Sequence, residues 1–224
     1  MEVQPKAYKG VAMEGLIASW YARNTGRDRR RFERCARAVT SRVAPGAAVL
    51  EVAPGPGYLA LELAQAGLRV TGLDISRSFV RIASQNAARA GLAVDFRQGD
   101  AAHLPLPDRA FDLVVCMAAF KNFSDPLGAL NEFHRVLRPG GVACVFDLRR
   151  GASLEAIARE VSEMNLSPVN AALTRMTFRF MLLKTAYARA EMEALAARSR
   201  FGRGTFREEG IGFELCLVRP AETA

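Results

Sequence analysis

The chain has 224 residues, half of them hydrophobic and 24% charged, with a formal net charge of +8. This composition belongs to a globular chain and excludes a disordered one, and the length suits one well-packed domain and not two. No apolar run approaches the roughly 20 residues that span a bilayer, and the opening Met1-Glu2-Val3-Gln4-Pro5-Lys6 has no apolar signal-peptide core.

The charge is uneven. Residues 1–48 hold ten Lys/Arg against four Asp/Glu, residues 49–150 eleven against ten, and residues 151–224 ten against nine. Cys35, Cys116, Cys144 and Cys216 stand far apart in sequence with no C-x-x-C pair. That spacing argues against a zinc site or a disulfide framework and for buried thiols in a reducing cytoplasm. No metal is expected.

Two helices are expected first, over Met13–Ala22 and Arg27–Arg42. From Ala48 to Leu148 the pattern alternates β and α. Val49–Val52 is a short apolar strand that ends in the turn Ala53-Pro54-Gly55-Pro56-Gly57. Tyr58–Ala66 reads as a helix, with Leu59, Leu63 and Ala66 on one face and Gly67 as its stop. Leu68–Leu73 is a second strand closed by Asp74. Ser76 suits an N-cap for a helix that runs to Ala90 and stops at Gly91.

Ala93–Phe96 reads as a third strand, followed by Gln98-Gly99-Asp100. A Pro-rich loop leads to Phe111–Met117, a continuous apolar strand of the kind that a parallel sheet buries on both faces. Asp125-Pro126 is an N-cap with Pro at the first helical position, and this helix is expected to stop at Pro139-Gly140-Gly141. Val142–Leu148 is a fifth strand. Ser153–Met164 and Ala188–Ser199 read as helices around Asn170–Lys184, a segment rich in apolar and basic residues. Phe206–Glu209 and Gly212–Val218 read as a closing antiparallel pair. These elements predict an α/β, doubly wound, mostly parallel sheet.

In such sheets ligands bind beyond the carboxyl ends of the strands, at the switch point of the topology. Three of those ends carry acids: Glu51, Asp74 and Asp100. Gly55 and Gly57 let backbone approach a ligand, and Asp74 follows Gly55 by 19 residues, the spacing of an acid that reaches ribose hydroxyls. Gly55-Pro56-Gly57-Tyr58-Leu59-Ala60 satisfies a relaxed G-x-G-x-x-A dinucleotide pattern. Pro56, however, deletes an N–H from the turn that would cradle a pyrophosphate, and the neighbouring acids would repel one. An adenosine ligand with a cationic substituent fits better.

The ordered set E-V-A-P-G-P-G, Leu73-Asp74-Ile75-Ser76, Gly99-Asp100-Ala101, Phe111-Asp112-Leu113-Val114 and Leu137-Arg138-Pro139-Gly140-Gly141 resembles the class I S-adenosylmethionine-dependent methyltransferases. The likeness is to their small-molecule branch, which includes ubiquinone-biosynthesis-like enzymes. It covers about residues 45–150 well and the C-terminal strand pair loosely. It implies a seven-stranded Rossmann-like methyltransferase sheet in a single domain. Residues 1–44 would form an N-terminal helical cap, 45–150 the cofactor-binding core, 151–200 a helical lid and 201–224 the closing strands.

The resemblance also implies S-adenosyl-L-methionine as cofactor and in-line methyl transfer to a small-molecule acceptor. Glu51 would face the methionine ammonium, with the Gly55 and Gly57 backbones under the methionine and ribose. Asp74 would accept the ribose hydroxyls, Ile75 would pack on the adenine, and Asp100 would take the adenine amino group beside the Ala101 N–H. Ala118 to Asn122 would line the space between methyl group and acceptor, and Tyr8 would close over the methionine end. His103, Lys121, Tyr21 and Tyr187 are candidate bases for acceptors that must lose a proton.

Arg27-Asp28-Arg29-Arg30-Arg31 supports an RNA methyltransferase as the alternative. No aromatic stacking platform accompanies the cluster, so a solvated helix face is the preferred reading and a nucleic-acid partner is not expected. The sequence permits a homodimer.

Overall fold

The computed structural model describes residues 9, 13–26, 29–164 and 167–222, apart from the side chain of Met181. The chain folds as α1 (Gly15–Thr25), α2 (Arg30–Thr40), β1 (Ala48–Val52), α3 (Tyr58–Gln65), β2 (Arg69–Asp74), α4 (Arg77–Ala90), β3 (Val94–Gln98) and β4 (Phe111–Met117). A 3-10 turn over Phe120–Asn122 leads to α5 (Pro126–Val136), β5 (Leu137–Leu148), α6 (Leu154–Glu163) and α7 (Pro168–Thr177). A π turn (Phe178–Leu182), α8 (Arg189–Arg198), β6 (Thr205–Glu209) and β7 (Gly212–Val218) complete it.

The strands form one seven-stranded sheet in the order β3-β2-β1-β4-β5-β7-β6. β1 to β5 are parallel, while β7 runs antiparallel to both β5 and β6. The doubly wound sheet expected from the alternating pattern is therefore present.

The central strands are apolar because two helical layers cover them. On one face Leu50, Val52, Val114, Cys116, Val145, Leu215 and Leu217 pack with α5 and α8. On the other, Val49, Leu113, Val115 and Cys144 pack with Cys35, Ala36 and Val39 of α2 and Leu59 and Leu63 of α3. Local chemistry sets the helix ends. Ser76, Asp125, Ser153 and Ser167 each accept from a backbone N–H of the helix they precede, and Gly91 ends α4 at φ 65°. Among the described residues no helix is long and apolar enough to cross a membrane.

Several boundaries differ from the sequence reading for physical reasons. α1 begins at Gly15 and not at Met13, because Glu14 is extended and its carboxylate accepts from Arg77 N (3.0 Å) and Ser78 N (3.0 Å) at the start of α4. α5 ends at Val136, five residues before Gly141, because a residue preceding proline is disfavoured in the α region. The chain turns straight into β5 at Leu137, which pairs with Phe111 before a register shift. β3 runs to Gln98, two residues beyond the expected end, since it pairs with β2 as far as Asp74.

Candidate functional site

The chain leaves β1 toward β2 on one side, and β4 lies on the other, so the switch point falls between the carboxyl ends of β1 and β4. Two non-glycine residues adopt left-handed backbone there: Ala53 and Ala118, each at φ 57°. That conformation costs an L-residue about 1–2 kcal/mol. It is held because Ala53 N donates to Leu73 O (2.8 Å) and Ala118 N to Phe146 O (2.7 Å). Strain of this kind concentrates at functional sites, and the sequence carried no signal for it.

Glu51 and Asp74 are both buried. Burial pushes the Glu51 carboxyl up to about 8, against a hydrogen bond from the Ala60 backbone in the first turn of α3 and with help from the Asp74 charge. One Glu51 oxygen, Oε2, is buried with no hydrogen-bond partner. Asp74 Oδ2 accepts from Gly55 N (2.9 Å) and Oδ1 from Ser76 N (2.9 Å). Burial raises Asp74 to about 6 and the Glu14 charge adds to the rise, while the backbone donors oppose it. Asp74 thus fastens the glycine turn to the start of α4, and each oxygen keeps a lone pair for a ligand.

The two glycines differ. A Cβ on Gly55 would meet only Phe79 Cε2 at 4.0 Å, so its backbone is open to a ligand. A Cβ on Gly57 would lie 2.8 Å from the Phe96 ring and 2.9 Å from Ala83 Cβ. Gly57 therefore lets the turn pack closely against α4 and β3.

At the ends of β2 and β3, Ile75 is 40% exposed, an apolar surface at the rim. Asp100 Oδ1 accepts from Ala102 N (2.9 Å), and Ala101 is half-buried beside it. His103 Nδ1 lies 3.5 Å from Asp100 Oδ2 with its side chain 83% exposed. That places the imidazole largely in solvent.

Lys121 is likewise not a free base. Its Nζ pairs with Asp147 Oδ1 (2.8 Å) and donates to Ala118 O (3.2 Å), and its backbone N donates to Asp147 Oδ2 (2.9 Å). The pair clamps the strained turn after β4 to the end of β5. Asp147 was missed, although an acid inside an apolar strand is the signal that marked Glu51. Tyr187 is half-buried, 6.0 Å from the Phe120 ring. Burial and the nearby Glu191 and Asp147 carboxylates raise its phenol.

Tyr21 rests edge-on against Phe79 at 5.7 Å. Asn122 O accepts from Lys9 N (2.7 Å). Tyr8 lies outside the described residues, as do Arg27 and Asp28. Of the basic cluster, Arg29 pairs with Glu62 at 2.8 Å and the Arg31 guanidinium lies over the Phe32 ring.

A family model described as a methyltransferase domain matches residues 50–145. The chain is 43% identical over 101 residues to a demethylmenaquinone methyltransferase of Thermus thermophilus, covering 44% of this chain and 46% of that protein. It is 33% identical over 107 residues to a ubiquinone biosynthesis O-methyltransferase of Pseudomonas paraeruginosa, covering 47% and 46%. The chain thus matches less than half the length of each of these curated relatives. A solved S-adenosyl-L-methionine-dependent methyltransferase structure from Methanococcus maripaludis, described as putative in its own name, superposes with TM-score 0.72 at 18% identity, covering 96% of this chain and 98% of that one. The [4+2]-cyclase SpnF superposes with TM-score 0.57 at 25% identity, covering 85% and 81%.

S-adenosylmethionine is the cofactor of this domain type. An open glycine turn and a buried carboxylate oxygen lacking a donor fit a nucleoside that carries positive charge. Residues 50–145 of this chain match a methyltransferase domain, similar to that of quinone-biosynthesis methyltransferases, in the fold of S-adenosylmethionine-dependent methyltransferases.

Proposed function

We propose that this chain transfers a methyl group from S-adenosylmethionine to a small-molecule acceptor with an apolar body, of the quinone kind that its relatives' names describe. The observation that carries the reading is the unpartnered Glu51 oxygen beside Asp74 at the switch point. A buried carboxyl oxygen without a partner is costly, and an ammonium would satisfy it once the group ionises. Glu51 holds that ammonium, the Gly55 backbone lies under the ligand, and the spare lone pairs of Asp74 take the ribose hydroxyls. Ile75 packs on the adenine, Asp100 and the Ala101 N–H address its edge, and Ala118 and Asn122 border the acceptor space.

The bound cofactor supplies an already electrophilic methyl group, so the chain's contribution is alignment. The four candidate bases agree with that: His103 is solvated, Lys121 is ion-paired, burial keeps the Tyr187 phenol protonated, and Tyr21 packs on Phe79.

An apolar acceptor is supported by the rim. α1 exposes Leu16, Ile17 and Trp20, and the insertion after β5 exposes Val169, Leu173, Met176 and Phe180. The latter four recur at helical spacing, with Arg175 and Arg179 interleaved. Exposed apolar surface of this extent marks a binding region. The test uses purified protein, methyl-labelled S-adenosylmethionine, and a panel of hydroquinones and catechols with and without apolar tails. Label should enter the tailed acceptors. Tight cofactor binding with no labelled product from any small molecule would refute the reading.

A further inference from the structure

On the face of the sheet covered by α2, one rung runs Glu51–Val115–Cys144–Cys216 across β1, β4, β5 and β7. Cysteines 72 residues apart in sequence become direct partners, with their sulfurs 3.8 Å apart. Register, not sequence spacing, sets their distance.

The pairing class follows from the ladder. Arg149 N donates to Ile211 O (3.0 Å) and Arg219 N to Gly141 O (2.9 Å), so odd-numbered β5 residues occupy hydrogen-bonded positions. Cys144 and Cys216 therefore form a non-hydrogen-bonded pair, where Cα atoms are about 4.5 Å apart and side chains are closest. This lies inside the Cα range of about 4.4–6.8 Å that a disulfide accepts, so side-chain rotation alone can close the bond.

A hydrogen bond with Cys144 lowers the Cys216 thiol and the Arg42 charge adds to this, while burial and the Glu214 carboxylate oppose it. Arg42 pairs with Glu214 Oε1 at 2.6 Å, and Cys216 Sγ lies 3.4 Å from the same oxygen. The two thiols and Glu214 have the spacing of metal ligands, but the guanidinium already occupies the cation's place on the carboxylate. Cys144 and Cys35 are buried, whereas Cys216 is half-buried and open to a small oxidant.

We propose that Cys144 and Cys216 are a reversible redox pair, oxidised by a peroxide to a cross-strand disulfide that joins β5 to β7. The Cys216 thiolate attacks one peroxide oxygen, the O–O bond breaks, and the departing hydroxide leaves as water after taking a proton. The Cys144 sulfur then attacks the resulting sulfenic sulfur. An S–S bond forms, the S–O bond breaks, and the Cys144 proton goes out with a second water. Two thiols and one hydrogen peroxide give one disulfide and two waters.

The test treats reduced full-length protein with a small excess of hydrogen peroxide, followed by alkylation and digestion without reductant. Expected are the loss of two hydrogens from the intact mass, one peptide linking Cys144 to Cys216, and full reversal by dithiothreitol. Cys35 and Cys116 should alkylate only after denaturation. Closing so long a loop should raise Tm by on the order of 10 °C until reductant is added. Cys144→Ser should abolish the linked peptide and drive Cys216 on to sulfinic acid. In the wild type, sulfinic acid at Cys216 with Cys144 still a thiol, or four intact thiols where free cysteine is consumed, would overturn the proposal.

Discussion

Cofactor binding should expel a proton, and Glu51 should be its main source. With its carboxyl raised to about 8, Glu51 is ~90% protonated at pH 7 in the free protein. Asp74, raised to about 6, is ~10% protonated there. A ligand that seats positive charge against these groups favours their ionised forms and returns Glu51 toward its ordinary 4.5. Near pH 7 about one proton should therefore leave per cofactor bound. Affinity should rise up to ~10-fold per pH unit from pH 6, flattening above pH 8. Calorimetric titration of the cofactor in phosphate and in Tris, whose ionisation enthalpies differ widely, reads the proton count directly. Glu51→Gln keeps an acceptor for the Ala60 N–H but has no proton to lose. It should abolish most of the buffer dependence and flatten the pH profile. Identical heats in both buffers for the wild type, with affinity constant between pH 6 and 8, would refute the argument.

The same shift fixes the sign of a stability effect in the free protein. The folded state holds the Glu51 proton more tightly than the unfolded chain does, so its contribution is complete below about 4.5 and disappears as pH rises through about 8. The loss is ~1.4 kcal/mol per pH unit inside that window and on the order of 5 kcal/mol across it. Thermal melts from pH 5 to 8 should show Tm falling in the wild type and much less in Glu51→Gln.

Other outcomes follow from the site's geometry. Gly57→Ala should lower Tm strongly because its Cβ strikes Phe96 and Ala83, whereas Gly55→Ala should cost only ~1 kcal/mol of stability while weakening cofactor binding. Equal Tm losses for the two would contradict the distinction. Asp74→Ala should weaken the cofactor by roughly 1–3 kcal/mol, measured by calorimetry, and unchanged affinity would misplace the site. Lys121→Met strands Asp147, whose side chain is fully buried, and should cost ~3–5 kcal/mol in denaturant melts. Adding Asp147→Asn should recover much of that loss, and a purely additive double variant would show the two residues do not couple.

Most of the fold was legible because the central strands carry apolar runs and α4, α5, α6 and α7 each have an N-cap side chain. Ser76, Asp125 and Gly91 punctuate the chain locally, and local signals suffice for element order. Boundaries went astray where a distant partner decides. Glu14 leaves the helical conformation to cap α4, 63 residues away, and no local pattern announces that. The acid tips Glu51 and Asp74 were legible as charges out of place in apolar strands. Their partners were not: the Gly55 N–H on Asp74 and the Arg42 guanidinium beside Glu214 depend on register and loop closure. Asp147 and the two cysteines show the same limit, since a residue's neighbour on the next strand is fixed by topology and not by proximity in the chain.

Several unfavourable features of the described residues share one edge. Two left-handed alanines, two buried carboxyls with raised affinity for protons and a desolvated Lys121–Asp147 pair all lie at the carboxyl ends of β1, β2, β4 and β5. The interior of the sheet, by contrast, is apolar and fully buried on both faces at Leu50, Leu113 and Val115. A fold can carry such local costs only where packing elsewhere exceeds them, which is why the mouth of the sheet and not its centre is strained. A cationic ligand at that mouth acts on several of these costs together. It supplies the donor that Glu51 Oε2 lacks and gives both carboxyls a reason to ionise. The free energy released by relieving them is available to binding, so affinity and the instability of the free site are two measures of one quantity.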